Sequence, residues 1–132
     1  MSTSSTTASG RTTATPLLRA FQVGAALVVL NVFFQFVTAG QLFPSGGPDE
    51  AHAAGAIVLH VLSGLTAVAA VLLWRQGVVT LGAAVLAVVV FAYSFVQAAI
   101  GGYRSLYVHV PGAMLLTAGA VWLLVVALRR RA

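Results

Sequence analysis

Three histidines are the residues of this sequence most suited to chemistry, and all three belong to long apolar segments. His52 and His60 lie in residues 49–63, DEAHAAGAIVLHVLS, beside the chain's two acidic residues, and His109 lies in the last apolar segment. The chain has no cysteine, so a metal would be held by histidine, methionine or carboxylate. A histidine in hydrocarbon is costly unless something binds it, so these positions indicate where a ligand would bind.

The composition places these histidines in a membrane protein of one domain. The 132 residues are 60% hydrophobic and 7% charged, whereas soluble domains carry about 25% charged residues. A bilayer accepts such apolar surface provided that the backbone is helical throughout. The net charge of +5 comes from arginines near the helix ends, which indicates membrane topology and not a nucleic-acid partner.

Four apolar segments predict an all-α integral membrane protein, a four-transmembrane-helix antiparallel bundle. The predicted membrane domain covers residues 16–132, after a Ser/Thr-rich tail, 1–15, that is expected to be disordered. Its helices are expected at residues 17–39, 51–74, 78–100 and 107–128, joined by short connections and by a loop at 40–50 that is rich in glycine and proline. A cleaved signal peptide is the alternative for the first segment, but Asn31 and Gln35 interrupt it and no clean cleavage site follows.

The positions of the arginines predict that both termini are cytoplasmic. Six arginines fall on one side of the predicted bundle: Arg11, Arg19, Arg75, Arg129, Arg130 and Arg131. Arg104 falls on the other side with Asp49 and Glu50. Since cytoplasmic loops are enriched in arginine, the histidines near these three residues should lie toward the outer leaflet.

An internal repeat relates the two halves of the chain. Each half has a glutamine, two small residues, a histidine and a glycine three residues after that histidine. The residues are Gln35, Ala39, Gly40, His52 and Gly55 in the first half, and Gln97, Gly101, Gly102, His109 and Gly112 in the second. The pattern predicts two similar helical hairpins packed about a pseudo-two-fold axis.

The repeat brings two imidazoles to similar depth across the predicted bundle. His52 and His109 each begin a helix, and Gly55 and Gly112, one turn on, would leave room for a flat ligand. Paired imidazoles on facing helices suit the two axial positions of a haem iron. The sequence therefore predicts a haem site at His52 and His109. The alternative for each is a histidine that merely begins a helix.

His60 has no counterpart in the second half, where Thr117 occupies the equivalent position. It should lie about 12 Å deeper than His52 and about 80° around the helix. A hydrogen bond to Asn31, Gln35 or Gln97 on another helix is one interpretation. The other is that His60 replaces His52 as the iron ligand or binds a second cofactor.

Arg104 could pair with a propionate of a bound haem or with the acidic residues on its own side. Asp49 could accept a hydrogen bond from His52, or it could simply complement the start of the helix. Gln35 and Gln97 are expected to hydrogen-bond across helices. No Ser-His-Asp set, phosphate-binding loop or zinc-ligand spacing is present, which argues against hydrolytic and phosphoryl-transfer chemistry.

At these repeated residues the chain resembles one four-helix half of haem A synthase and small four-helix bacterial membrane proteins. The resemblance covers roughly residues 20–128 and implies a bacterial plasma-membrane protein in which His52 and His109 bind haem b or receive the haem substrate. The chain departs from the synthase pattern at two positions. Asp49 stands where the synthase usually has glutamate, and Ala53 stands where it has arginine.

These observations favour a b-type haem protein for electron transfer or haem handling, and not an enzyme by itself. The expected partners are the lipid bilayer, haem, and a quinone or redox partner, with association into a homo- or hetero-oligomer left open. The alternative is a cofactor-free membrane scaffold or accessory subunit whose histidines are packing elements. A transporter or channel component is a third interpretation, but the sparse charge within the helices argues against an ion path.

Overall fold

The computed structural model describes residues 7–42 and 49–130, which form four long helices. The helices are α1 (Thr7–Gln41), α2 (Glu50–Arg75), α3 (Leu81–Ala99) and α4 (Leu106–Leu128), with a 3₁₀ turn at Tyr103–Ser105. Each of the four is long and apolar enough to cross a membrane, which is the pattern of a multi-pass membrane protein. The prediction of four membrane-spanning helices in an all-α chain is confirmed to that extent.

The helix boundaries differ from the predicted ones at two places. α1 begins at Thr7, inside the predicted tail, and Pro16 lies within it, although the part apolar enough to span a membrane begins at Pro16. α3 begins three residues later than predicted, because the Thr80 side chain caps it by accepting a hydrogen bond from the Ala83 backbone N–H. Residues 1–6 of the predicted tail, 43–48 of the predicted loop and 131–132 lie outside the described residues.

The helices form a ring in which each contacts two others. α1 and α3 both pack against α2 and α4. Among the described residues, no Cα–Cα distance of 8 Å or less joins α1 to α3 or α2 to α4. α2 and α4 therefore face each other across the centre of the ring.

One end of the ring is tightly packed and is called the packed end. It contains the start of α1 and the end of α4, and Gln22 of α1 donates to the backbone carbonyls of Ala127 and Arg130 at 3.1 and 2.9 Å. Large buried side chains fill its centre, among them Leu18, Phe21, Leu73 and Leu123. These side chains bury the apolar surface that stabilises this half of the bundle.

Several hydroxyl side chains within the helices bond to their own backbone. Ser63, Thr66 and Thr117 each donate to the carbonyl four residues earlier, at 2.6 to 2.7 Å. The outward faces are apolar, with Leu65 and Leu115 exposed by 65% and 69%. Outward-facing leucines are compatible with contact with lipid. Hydroxyls that bond to their own helix need no hydrogen bond to water.

Candidate functional site

The opposite end of the ring, called the cavity end, encloses a cavity of about 580 Å³. All four helices line it, and Val32, Leu59 and Leu116 form part of its inner floor. Its walls include six small residues: Ala39, Ala53, Ala56, Ala98, Gly101 and Ala113. Small residues here, in place of the leucines and phenylalanine of the packed end, leave space for a ligand in the size range usual for such sites.

His52 lines this cavity and is held by α1. Its Nδ1 lies 3.1 Å from the Thr38 hydroxyl oxygen, and that hydroxyl is itself 3.1 Å from the carbonyls of Phe34 and Gln35. In the tautomer in which Thr38 donates its one proton to a carbonyl, Thr38 accepts from His52 Nδ1–H. The lone pair of His52 is then on Nε2.

His109 lines the same cavity and is held by α3 in an equivalent way. Its Nδ1 lies 3.1 Å from the backbone carbonyl of Gln97. A carbonyl can only accept, so Nδ1 carries the proton and Nε2 has the lone pair. Gln97 lies in the last turn of α3, where carbonyls lack partners within the helix. The imidazole of His109 satisfies one of these carbonyls.

The two histidines approach the cavity from opposite corners of the ring. His52 belongs to α2 and His109 to α4. The described residues make no hydrogen bond to Nε2 of either ring. Both rings line the cavity with Nε2 unpaired among the described residues.

The repeated glycines contact the repeated glutamines. A Cβ on Gly55 would lie 2.8 Å from Oε1 of Gln35, and a Cβ on Gly112 would collide with Nε2 of Gln97. In both halves, the glutamine side chain of the preceding helix thus occupies the space beside the glycine. The expectation that this space would hold a flat ligand is therefore wrong. The two halves correspond in the contact between glutamine and glycine, but they differ at the histidine: His109 is bonded to the Gln97 backbone, and His52 is bonded to the Thr38 side chain.

Among residues 7–42 and 49–130, the two glutamine side chains do not make the hydrogen bonds across helices that were expected. Gln35 Oε1 has the Thr38 hydroxyl of its own helix at 3.5 Å. Both amide atoms of Gln97 are buried without a partner among the described residues, although the residue is only 5% exposed and lines the cavity. An unpaired buried amide costs about 1–3 kcal/mol per lost partner, so a polar ligand beside Gln97 would recover part of that free energy.

His60 lies at the inner part of the cavity and is held by α3. Its Nδ1 is 2.8 Å from the Ser94 hydroxyl, and that hydroxyl donates to the Phe91 carbonyl at 2.6 Å. Its ring stacks on Phe95, with centroids 4.0 Å apart and planes 8° from parallel. The partner of His60 is therefore Ser94, and not Asn31, Gln35 or Gln97 as expected. Nε2 of His60 is the third imidazole lone pair at the cavity.

The charged candidates lie at the edge of the site. Asp49 is exposed and lines the cavity, but Thr38 takes the position beside His52 Nδ1 that was considered for it. Arg104 is exposed in the 3₁₀ turn before α4 and is not one of the lining residues.

Sequence reasoning missed Thr38 and Ser94. Each lies three residues from a repeated glutamine, on nearly the same helix face, which is the signal that could have found them.

Within residues 7–42 and 49–130, no three His, Cys, Asp or Glu side chains group closely enough to hold a metal ion. A metal at this site would thus have at most two ligands from these side chains and would need further ligands of its own, as a haem iron does. No family model, curated protein or solved structure matches the chain.

Proposed function

We propose that the protein is a b-type haem protein of the membrane, with His52 and His109 as the axial ligands. The observation that carries this proposal is the pair of Nε2 lone pairs facing one cavity from opposite helices, each set by a hydrogen bond at Nδ1. Nδ1 bonds of this kind are typical of metal-binding histidines, because they fix the tautomer and the orientation of the ring. When bound, haem would supply one-electron redox chemistry.

The residues around the cavity fit such a group. The cavity volume of about 580 Å³ lies within the usual range for cofactor sites, and its walls are mainly apolar. The unpaired amide of Gln97 offers both a donor and an acceptor to polar atoms of a ligand. We include Arg104, which is exposed just before α4 and does not line the cavity, as the partner of a haem carboxylate at the edge of the site. Gly55 and Gly112 contribute indirectly, by accommodating the two glutamines.

The proposed fold is an antiparallel bundle of two equivalent hairpins, α1–α2 and α3–α4. Contacts such as His52 with Thr38 and His109 with Gln97 support the equivalence. The proposed location is the bacterial plasma membrane, with both termini cytoplasmic and the cavity end toward the outer leaflet. The arginine distribution and the resemblance to one half of haem A synthase support this orientation. Electron transfer or haem handling would follow from haem at that leaflet.

The test is an absorption spectrum of the detergent-purified protein, expressed with haem available. We expect a Soret band and sharp α and β bands after reduction. His52→Ala and His109→Ala should each change or remove these bands, whereas the matched variant His60→Ala should keep them. A colourless protein that is well folded by circular dichroism would reject the proposal and favour a cofactor-free scaffold. Loss of the bands in His60→Ala alone would move the site to His60.

A further inference from the structure

The packed end of the bundle carries positive charge that no acidic side chain neutralises. Four arginines of the described chain lie there: Arg19 in α1, Arg75 at the end of α2, and Arg129 and Arg130 after α4. The chain has only two acidic residues, Asp49 and Glu50, and both lie at the start of α2, at the cavity end. The counter-charge for these arginines must therefore come from a group outside the described chain.

Gln22 joins one of these arginines to the end of another helix. Its Oε1 accepts a hydrogen bond from Arg19 Nη1 at 3.3 Å, and its Nε2 donates to the carbonyls of Ala127 and Arg130. Because both hydrogens of Nε2 are used on α4, the amide group is held in one orientation. Gln22 thus places the guanidinium of Arg19 beside the end of α4, where two further arginines follow.

Arg19 keeps most of its capacity to bind a ligand. A guanidinium has five N–H donors, and among the described residues Arg19 uses one, in its bond to Gln22. The side chain is exposed, so the other donors are accessible. The planar arrangement of these donors matches two oxygens of a phosphate group, and the arginines after α4 add attraction for its negative charge.

The surface next to these arginines is apolar and belongs to the membrane-spanning segments. Arg19 lies three residues after Pro16, where the spanning part of α1 begins, and Arg129 follows Leu128, the last residue of α4. Val23, one turn after Arg19 on nearly the same helix face, is 58% exposed, and Leu128 is 63% exposed. Cations at the border of an exposed apolar face suit an amphiphile with an anionic head group.

From these contacts we infer that the packed end binds one anionic phospholipid where α1 meets α4. Arg19 binds the head-group phosphate, Gln22 positions Arg19 against α4, and the acyl chains lie along the apolar face that contains Val23. The lipid site requires the membrane location proposed above and needs no haem. Since the proposed haem site lies at the other end of the bundle, the two sites can be tested separately.

The first test counts lipids bound to the detergent-purified, full-length protein by native mass spectrometry, after equilibration with phosphatidylglycerol or phosphatidylcholine. We expect the protein to bind phosphatidylglycerol in preference. Arg19→Gln should weaken this binding by about tenfold, because it removes charge-assisted hydrogen bonds to the phosphate. Arg75→Gln is the matched control, since it removes the same charge at the same end, and it should weaken binding by about threefold or less. Equal losses in the two variants would show diffuse attraction and overturn the inference.

The second test uses Gln22→Ala, which keeps every arginine but removes the contact that holds Arg19 against α4. Binding of phosphatidylglycerol should weaken by about threefold or more although the net charge is unchanged. Inorganic phosphate at millimolar concentration should not displace the lipid, because it has no acyl chain to occupy the apolar face. Unchanged binding in Gln22→Ala, or displacement of the lipid by phosphate, would overturn the inference.

Haem spectra of the same preparations separate this inference from the proposed function. Arg19→Gln and Gln22→Ala should keep any haem bands of the unmodified protein, because both changes lie at the packed end. A protein that binds phosphatidylglycerol as expected but shows no haem bands would reject the proposed function and leave the lipid site standing. Haem bands without a preference for phosphatidylglycerol over phosphatidylcholine would do the reverse.

Discussion

The replacement Gly112→Ala tests whether the buried amide of Gln97 belongs to the helix packing or to the cavity. A Cβ at residue 112 would collide with Nε2 of Gln97 and lie 2.7 Å from the Tyr93 hydroxyl. Both atoms are the ends of flexible side chains, so they can move away. Because the Gln97 amide has no partner among the described residues, it loses no hydrogen bond when it moves. The adjoining open space is the cavity that Gln97 already lines.

The effect on stability should be small for this reason. Overpacking of a buried site costs about 1–3 kcal/mol. Alanine in place of glycine in a helix recovers about 1 kcal/mol. The free energy of unfolding should therefore fall by about 0–2 kcal/mol. Haem affinity should fall by about tenfold or more, equivalent to about 1.4 kcal/mol, because the displaced amide enters the space next to His109.

Thermal unfolding of the haem-free protein and titration with haem measure the two effects separately. Gly55→Ala should act in the same direction in the other half, since its Cβ would lie 2.8 Å from Gln35 Oε1. Gly40→Ala is the control, because no atom lies within 4 Å of its Cβ position. If Gly112→Ala left the haem affinity unchanged and lowered the free energy of unfolding by about 3 kcal/mol or more, the reasoning would be refuted. The Gln97 side-chain amide would then be part of the packing between the helices.

Three further replacements test single contacts. Gln22→Ala removes two bonds to the end of α4 and should lower the free energy of unfolding by about 1–2 kcal/mol, whereas exposed Gln41→Ala should change it by less than about 0.5 kcal/mol. Thr80→Ala removes the cap of α3 and should cost about 1 kcal/mol in thermal unfolding, and Thr80→Ser should cost little. Ser94→Ala leaves His60 Nδ1 without its acceptor and should cost about 1–3 kcal/mol, while the haem spectrum stays unchanged; a lost spectrum would place the ligand at His60.

The helices of this fold could be predicted from the sequence because a membrane helix needs about 20 apolar residues, and polar or turn-forming connections separate one apolar segment from the next. Their number was correct, and most ends were within a few residues. The start of α3 was missed because hydropathy does not register a cap. Val78 and Val79 are as apolar as the helix, yet the turn at Gly77, with φ of +72°, and the Thr80 cap delay the first helical turn to Leu81.

The sequence predicted which residues belong to the site, but it did not predict which residues they contact. Spacing identified the repeated glutamine, histidine and glycine, and these do lie together in each half. It could not show that a glutamine would fill the space at its glycine, because a side chain's direction depends on the packing of two helices. Thr38 and Ser94 escaped notice because hydroxyl residues in membrane helices usually bond to their own backbone, as Ser63 does.

The two interpretations of the site, haem protein and cofactor-free scaffold, make opposite predictions for the double variant His52→Leu, His109→Leu. Each replacement loses an Nδ1 hydrogen bond of about 0.5–1.5 kcal/mol and places a leucine side chain at a half-buried position, which contributes part of the roughly 1.5–3 kcal/mol of full burial. If the histidines exist to bind a ligand, the haem-free double variant should melt at or above the temperature of the unmodified protein, and added haem should stabilise only the latter. If they are packing elements, the double variant should melt lower and haem should stabilise neither protein. Melting curves of both proteins, with and without haem, decide between these outcomes.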